Sequence, residues 1–272
     1  MKLRMAPATD RFVRNFSRNT PHALLLTGPD GIGLFTLAHH IAQANGRILA
    51  VVTPESKTSA LRSISVERIR ELYVQTKSRL DGTNFVIIDD ADTMNHVAQN
   101  ALLKLLEEPN PSIRFILTSH IPDKLLPTIR SRTQHFAVPR ITTLESKRLL
   151  SANAELDEVT IQRLLFVADG LPAQLARLSH DSSGFKKLSE RVLTARQIVE
   201  GTPYQRLALV ASLDSDRGDA IALIEMVILL LRRSLATRPE QSTVRLVERM
   251  VEASEAIRAN GSVKLHLSVA MV

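Results

Sequence analysis

The sequence predicts an α/β fold: a parallel sheet covered by helices on both faces, followed by helices alone. Three observations carry this. Over the first 140 or so residues, short apolar runs alternate with stretches of helical spacing, the pattern of successive strand–helix units. The first run, residues 22–27, ends in a glycine-rich turn that opens a helix. After Pro139 the strand-like runs stop and only helical patterns continue.

The elements follow in order. Residues 22–27 (His-Ala-Leu-Leu-Leu-Thr) read as a buried parallel strand, because both faces are apolar. Residues 36–44 have helical spacing, and 48–52 are a second strand. Residues 65–77 are amphipathic, with Val66, Ile69, Leu72 and Tyr73 on one face and Ser65 as the cap. Residues 84–90 form a third apolar run ending in carboxylates, and 97–108 form a helix stopped by Pro109. A strand over 114–119, a short helix over 125–130 and a strand over 135–138 complete the alternation. Three short helices are expected at 144–151, 157–167 and 171–179, then a Ser/Gly linker at 181–184. Longer helices are expected near 185–199, 203–213, 217–236 and 240–259, with a turn at Asn260-Gly261 and a last helix over 263–271. The division expected is a core over 1–140, a small helical segment over 141–182 and a larger one over 183–272.

Composition bounds the function. The 272 residues are 44% hydrophobic, enough for sizeable cores. Cysteine is absent, which excludes disulfides and thiolate zinc sites and is compatible with a reducing cytoplasm. The formal net charge of +7 is uneven: residues 1–140 carry 18 basic and 12 acidic side chains, against 17 and 16 in the rest. A basic first half suits an anionic partner such as nucleic acid or nucleotide, and equally suits an inert basic surface. Residues 1–20 hold no apolar stretch of the kind a secretory signal needs. The most apolar run, 221–231, is broken by Glu225 and falls short of the ~20 residues of a membrane span. No membrane partner and a cytoplasmic location are expected.

Residues 28–35, Gly-Pro-Asp-Gly-Ile-Gly-Leu-Phe, match the phosphate-loop pattern G-x-x-x-x-G-K-[ST] at Gly28 and Gly33. Gly28, Gly31 and Gly33 could still form a nest of N–H groups for an anion. The lysine position holds Leu34 and the magnesium-ligand hydroxyl position holds Phe35; Thr36 comes one residue late. The site either binds nucleotide weakly or is a vestigial turn. The strand ending in Asp89 and Asp90, with Asp92 beyond, is similar to a Walker B motif, whose acids hold magnesium and polarise water. Here they either keep that role or cap the following helix. Arg132 is either an ordinary surface ion-pair partner or a phosphate-binding arginine, with Arg130 the competing candidate.

The longest motifs decide among these. Asn-Ala-Leu-Leu-Lys-Leu-Leu-Glu-Glu-Pro at 100–109 and Leu-Leu-Pro-Thr-Ile-Arg-Ser-Arg at 125–132, placed after the Walker B-like strand, resemble the bacterial clamp-loader branch of the AAA+ proteins. The resemblance covers nearly the whole chain. It implies an AAA+ P-loop-type core, a helical lid and an all-α collar that oligomerises. Ser131-Arg132-Thr133 sits where the family has Ser-Arg-Cys, and the family implies that Arg132 reaches into a neighbouring subunit's ATP site. A guanidinium is always charged and forked to match phosphate oxygens. Thr118, Ser119 and His120 fall in the sensor-1 region. Ala173 stands where active relatives tend to carry a sensor-2 arginine, so a second phosphate-binding cation is expected to be missing. The family's four-cysteine zinc module is absent, so zinc is not expected, and neither is ATP as a cofactor.

What the resemblance implies is a non-ATPase stator. It would belong to the DNA polymerase III holoenzyme, donate Arg132 in trans, and partner gamma/tau and delta subunits. Through them it would meet the beta clamp and primer-template DNA. The alternatives are a gamma/tau-like ATPase with an atypical P-loop and a stand-alone DNA-binding module. Aromatics at 4% offer the latter little stacking platform.

Overall fold

The computed structural model describes residues 5–16, 20–56, 62–76, 81–153, 156–213, 216–237 and 239–272. They divide into two compact units, 1–180 and 181–272.

The first unit opens with α1 (Pro7–Phe16), then β1 (Ala23–Thr27), α2 (Leu34–Asn45) and β2 (Arg47–Val52). A short antiparallel hairpin follows, β3 (Glu55–Ser56) with β4 (Arg62–Ser63). Next come α3 (Val66–Thr76), β5 (Asn84–Ile88), α4 (His96–Glu107), β6 (Ile113–Ser119), α5 (Pro127–Ser131) and β7 (Gln134–Ala137). Three helices close the unit: α6 (Thr143–Leu150), α7 (Glu158–Ala168) and α8 (Pro172–His180). The five-stranded sheet has the order β2-β5-β6-β1-β7 and every pairing in it is parallel.

The apolar runs are strands because both faces of the sheet are covered. On one face Leu25, Val86, Ile88, Phe115 and Leu117 pack with Ile69 and Leu72 of α3 and with Leu102, Leu105 and Leu106 of α4. Leu24, Leu26, Phe85 and Ile87 alternate to the opposite face and are also buried, as are Leu37, Ala38 and Ile41 of α2, which packs against the sheet. Burial of each such Leu, Ile, Val or Phe side chain stabilises by about 1.5–3 kcal/mol. Helix α4 starts at an Asn95 cap, whose side chain accepts the Ala98 N–H at 2.9 Å.

Two elements escape the sequence reading. Helix α1 is polar overall, yet Phe16 is buried and the Phe12 ring stacks on Phe136 of β7, centroids 3.9 Å apart. The two-residue strands of the hairpin are too short to leave a periodic signal. The end of the helix expected over 65–77 reaches Lys77, which lies outside the described residues; the described helix starts after Ser65, whose Oγ accepts the Arg68 N–H at 3.5 Å.

The second unit is all-helical: α9 (Ser182–Glu200), α10 (Pro203–Ser212), α11 (Arg217–Thr237), α12 (Gln241–Arg258) and α13 (Val263–Met271). The linker expected at 181–184 is instead the start of α9. Asp181 caps it by accepting the Gly184 N–H at 2.9 Å, since the small polar residues of a linker are also those of a cap. Asn260, at φ 71°, makes the expected turn, and the Gly261 N–H donates to the Ala256 carbonyl at 2.8 Å. Ile198, Val227, Met250, Ile257, Leu267 and Met271 are buried, whereas Ile228, Leu229 and Leu230 in the apolar stretch of α11 are only partly so. Among the described residues no helix is long and apolar enough to cross a membrane.

Candidate nucleotide-loop site

The carboxyl ends of β1, β5 and β6 converge, the place where open parallel sheets hold ligands. Strand register brings the site together. Thr27 pairs with Ser119 and Ile88 with Leu117, so the next residues out, Gly28 with His120 and Asp89 with Thr118, become neighbours. A cleft of about 260 Å³ opens there, lined among others by Gly31, Gly33, Leu34, Asp89, Asp90 and His120.

The loop holds its turn through backbone that favours glycine: Gly31 at φ 81° and Gly33 at φ 93°. Gly33 opens α2 without a side-chain cap. Leu34, at the lysine position, is only 2% exposed and belongs to the apolar interior. Phe35, at the hydroxyl position, lies edge-on to His39 with centroids 4.7 Å apart. Thr36 does line the cleft. The first turn of α8 is docked on the loop. Its Ala173 and Gln174 N–H groups both donate to the Gly31 carbonyl at 3.0 Å. A Cβ added to Gly31 would meet the Gln174 side chain at 2.7 Å. Helix N-termini are ready-made anion sites, and here two of those donors are taken by the protein's own loop.

The two acids are held from β6. The Thr118 hydroxyl donates to Asp89 Oδ1 at 2.7 Å and accepts the Asp90 N–H at 2.9 Å. Burial pushes the Asp89 carboxyl above its ordinary range, against the downward pull of that hydroxyl. Burial, and then the neighbouring Asp89 charge, push Asp90 up as well. Asp90 itself sits at φ 47°, a left-handed backbone that Asp tolerates better than most residues. Asp90 takes the N-cap position of the 3-10 turn Ala91–Thr93 without a side-chain cap bond, and α4 is capped by Asn95.

His120 ties the acids to the loop. Its Nδ1 is 2.8 Å from the Gly28 carbonyl, its Nε2 is 3.3 Å from Asp90 Oδ1, and its backbone N–H donates to Asp92 Oδ1 at 3.1 Å. A carbonyl only accepts, so Nδ1 carries the hydrogen of that contact. The imidazole thus bridges the loop and the acids. Ala173 supplies no cation, but Arg177, one turn further along α8, lines the cleft. The sequence reading missed both roles. Helical spacing from Ala173 to Arg177 was the available signal for the arginine.

Arg132 is not among the residues lining this cleft. It closes α5, with its Nη2 2.9 Å from Glu107 Oε1 at the end of α4 and its Nη1 donating to the Thr128 carbonyl at 3.2 Å. Arg130 pairs with Asp123 at 2.9 Å. The cleft therefore gathers Gly31, Gly33, Asp89 and Asp90, Gly28 joins them through its carbonyl on His120, and Arg132 lies outside the lining.

Comparison with known proteins agrees with this architecture. A family model described as DNA polymerase III, delta subunit matches residues 43–142. DNA polymerase III subunit delta' of Pseudomonas aeruginosa is 33% identical over 216 residues, covering 66% of this chain and 65% of that protein. The replication factor C small subunit of Aeropyrum pernix is 30% identical over 161 residues, covering 56% of this chain and 49% of that one. The chain thus spans between about half and two thirds of the length of these relatives. Among solved structures, a DNA polymerase III gamma subunit-related protein of Thermotoga maritima superposes with a TM-score of 0.54 at 18% identity, over 97% of both chains. A RuvB variant of the same organism gives 0.50 at 17%, over 85% of this chain and 79% of that one. These two likenesses establish the fold alone. The core thus has the AAA+ P-loop-type fold, and in sequence the chain is similar to DNA polymerase III clamp-loader subunits, delta' among them.

Proposed function

We propose that this chain is a non-ATPase stator subunit of a DNA polymerase III clamp loader, acting with gamma/tau and delta subunits to place a beta clamp on primed DNA. One observation carries the reading: the loop that would cradle a triphosphate is occupied by the protein itself. Leu34 is buried where a lysine would stand, α8 donates to the Gly31 carbonyl, and His120 bridges Gly28 to Asp90. A triphosphate needs several cations, and Asp30, Asp89 and Asp90 set negative charge around the same cleft.

In this reading α6–α8 are the lid and the second unit is the collar. Exposed Leu265 and Val269, one turn apart on α13, give that collar apolar surface to offer other subunits. Arg132 serves as the finger in a neighbour's ATP site, stabilising charge on the transferred phosphoryl group. Neither zinc nor bound ATP is needed, and the protein works in the cytoplasm. The rival reading, a gamma/tau-like ATPase with an atypical loop, draws on Arg177. A titration of the isolated chain with fluorescent ATP separates the two. No binding up to millimolar nucleotide is expected, and a dissociation constant tighter than about 10 μM would favour the ATPase.

A further inference from the structure

The motif over 100–109 sets two glutamates, Glu107 and Glu108, just before its closing Pro109, in the C-terminal turn of α4 and its cap. This is the wrong sign for the place. The carboxyl end of a helix carries partial negative charge and favours cations. A local choice that runs against its element without a stabilising return is a mark of function. The return at Glu107 is one contact: its Oε1 lies 2.9 Å from Nη2 of Arg132.

That contact contributes little to stability. The side chains of Arg132 and Glu107 are 37% and 46% exposed, and such pairs are worth about 0–1 kcal/mol. What the pair does is fix direction. The backbone of Arg132 is already pinned, its N–H donating to the Ile129 carbonyl at 3.1 Å. The long side chain would otherwise sample many rotamers. Glu107 on one nitrogen and the Thr128 carbonyl on the other hold the guanidinium in one orientation. A guanidinium has five N–H donors, so a fork on phosphate oxygens is compatible with keeping Glu107.

We infer that Glu107 is a positioning residue for Arg132, holding the guanidinium in the orientation in which it meets the phosphate of a neighbouring subunit. The inference rests on the proposed finger role of Arg132. An interaction realised only as charge develops on the phosphoryl group lowers kcat when it is lost and leaves ATP binding, which uses the neighbour's own loop, unchanged.

The test is steady-state ATPase of the loader reconstituted with gamma/tau and delta subunits, beta clamp and primed DNA. Three variants are compared: Glu107→Ala, Glu107→Gln and Arg132→Ala. Glu107→Ala is expected to lower kcat by about 10-fold or more, since misplacing a reacting group by an ångström can cost about 10²-fold, with KM for ATP unchanged. Glu107→Gln keeps the acceptor oxygen and should recover most of the loss. Should Glu107→Ala retain kcat within twofold while Arg132→Ala loses it, the positioning role is overturned and the finger stands. An Arg132→Ala loader with full kcat removes the finger reading, and this inference with it.

Discussion

Gln99, in the first turns of α4, grips Leu126, the residue that opens α5: its side-chain Oε1 accepts the Leu126 N–H at 2.7 Å. The amide of the same side chain donates to the Met94 and Lys124 carbonyls at 3.0 and 3.1 Å. Gln99 is 2% exposed, so the three bonds are made away from water. Gln99→Leu keeps the volume and strands backbone groups at the base of the arginine-bearing helix. Each stranded group costs about 1–3 kcal/mol, and the variant is expected to lose about 2–4 kcal/mol in urea unfolding. A loss below about half a kcal/mol would mean that water replaces the side chain.

Asp89 and Asp90 both tie stability to pH, and Asp89 is the one held directly by the Thr118 hydroxyl. Its carboxyl is raised in the folded protein, first by burial, so the unfolded chain releases this proton at a lower pH than the native one. The stability linked to the protonated form is complete below the ordinary value of 3.8 and is lost as pH rises through the raised native value. Asp89→Asn keeps an oxygen for the Thr118 hydroxyl and removes that loss. The variant should melt higher than the parent at pH 7, with the gap narrowing as pH is lowered toward 3.8. A variant that melts lower at pH 7 contradicts the assignment.

Two glycines with the same hand of backbone separate strain from contact. Gly82, at φ 69°, has no described atom within 4 Å of an added Cβ, whereas Gly31, at φ 81°, would press on Gln174 at 2.7 Å. Gly82→Ala should cost about 1–2 kcal/mol from backbone strain alone. Gly31→Ala should cost more and should also speed amide exchange across the first turn of α8, because the Ala173 and Gln174 N–H groups lose their carbonyl. Equal losses and unchanged exchange would show the docked turn to be slack.

Much of the core was legible because its strands are short, apolar on both faces and punctuated by glycine, proline or acids. Residues 22–27, 84–90 and 114–119 could hardly be read otherwise. Helix α1 was not, because its anchor is a ring stacked on Phe136, more than a hundred residues away. The loop glycines and the acids were visible as motifs, but the part His120 plays was not. It depends on β1 and β6 being neighbours in register, with Thr27 opposite Ser119, and no local pattern encodes which strand lies beside which. The sign reversal at Glu107 was present in the sequence, but it acquires a partner only when α4 and α5 meet.

The docking of α8 on the Gly31 carbonyl also bears on reversibility. Restoring a lysine at position 34 would place an ammonium in an apolar pocket, beneath a loop whose carbonyl already satisfies two N–H groups. Nothing would be gained until Ala173 and Gln174 moved away and His120 let go of Gly28, and each of those steps taken alone breaks a bond. The cleft is separated from one that holds a lysine by several individually unfavourable changes. A loop arranged in this way has no single-step path to a lysine-bearing one.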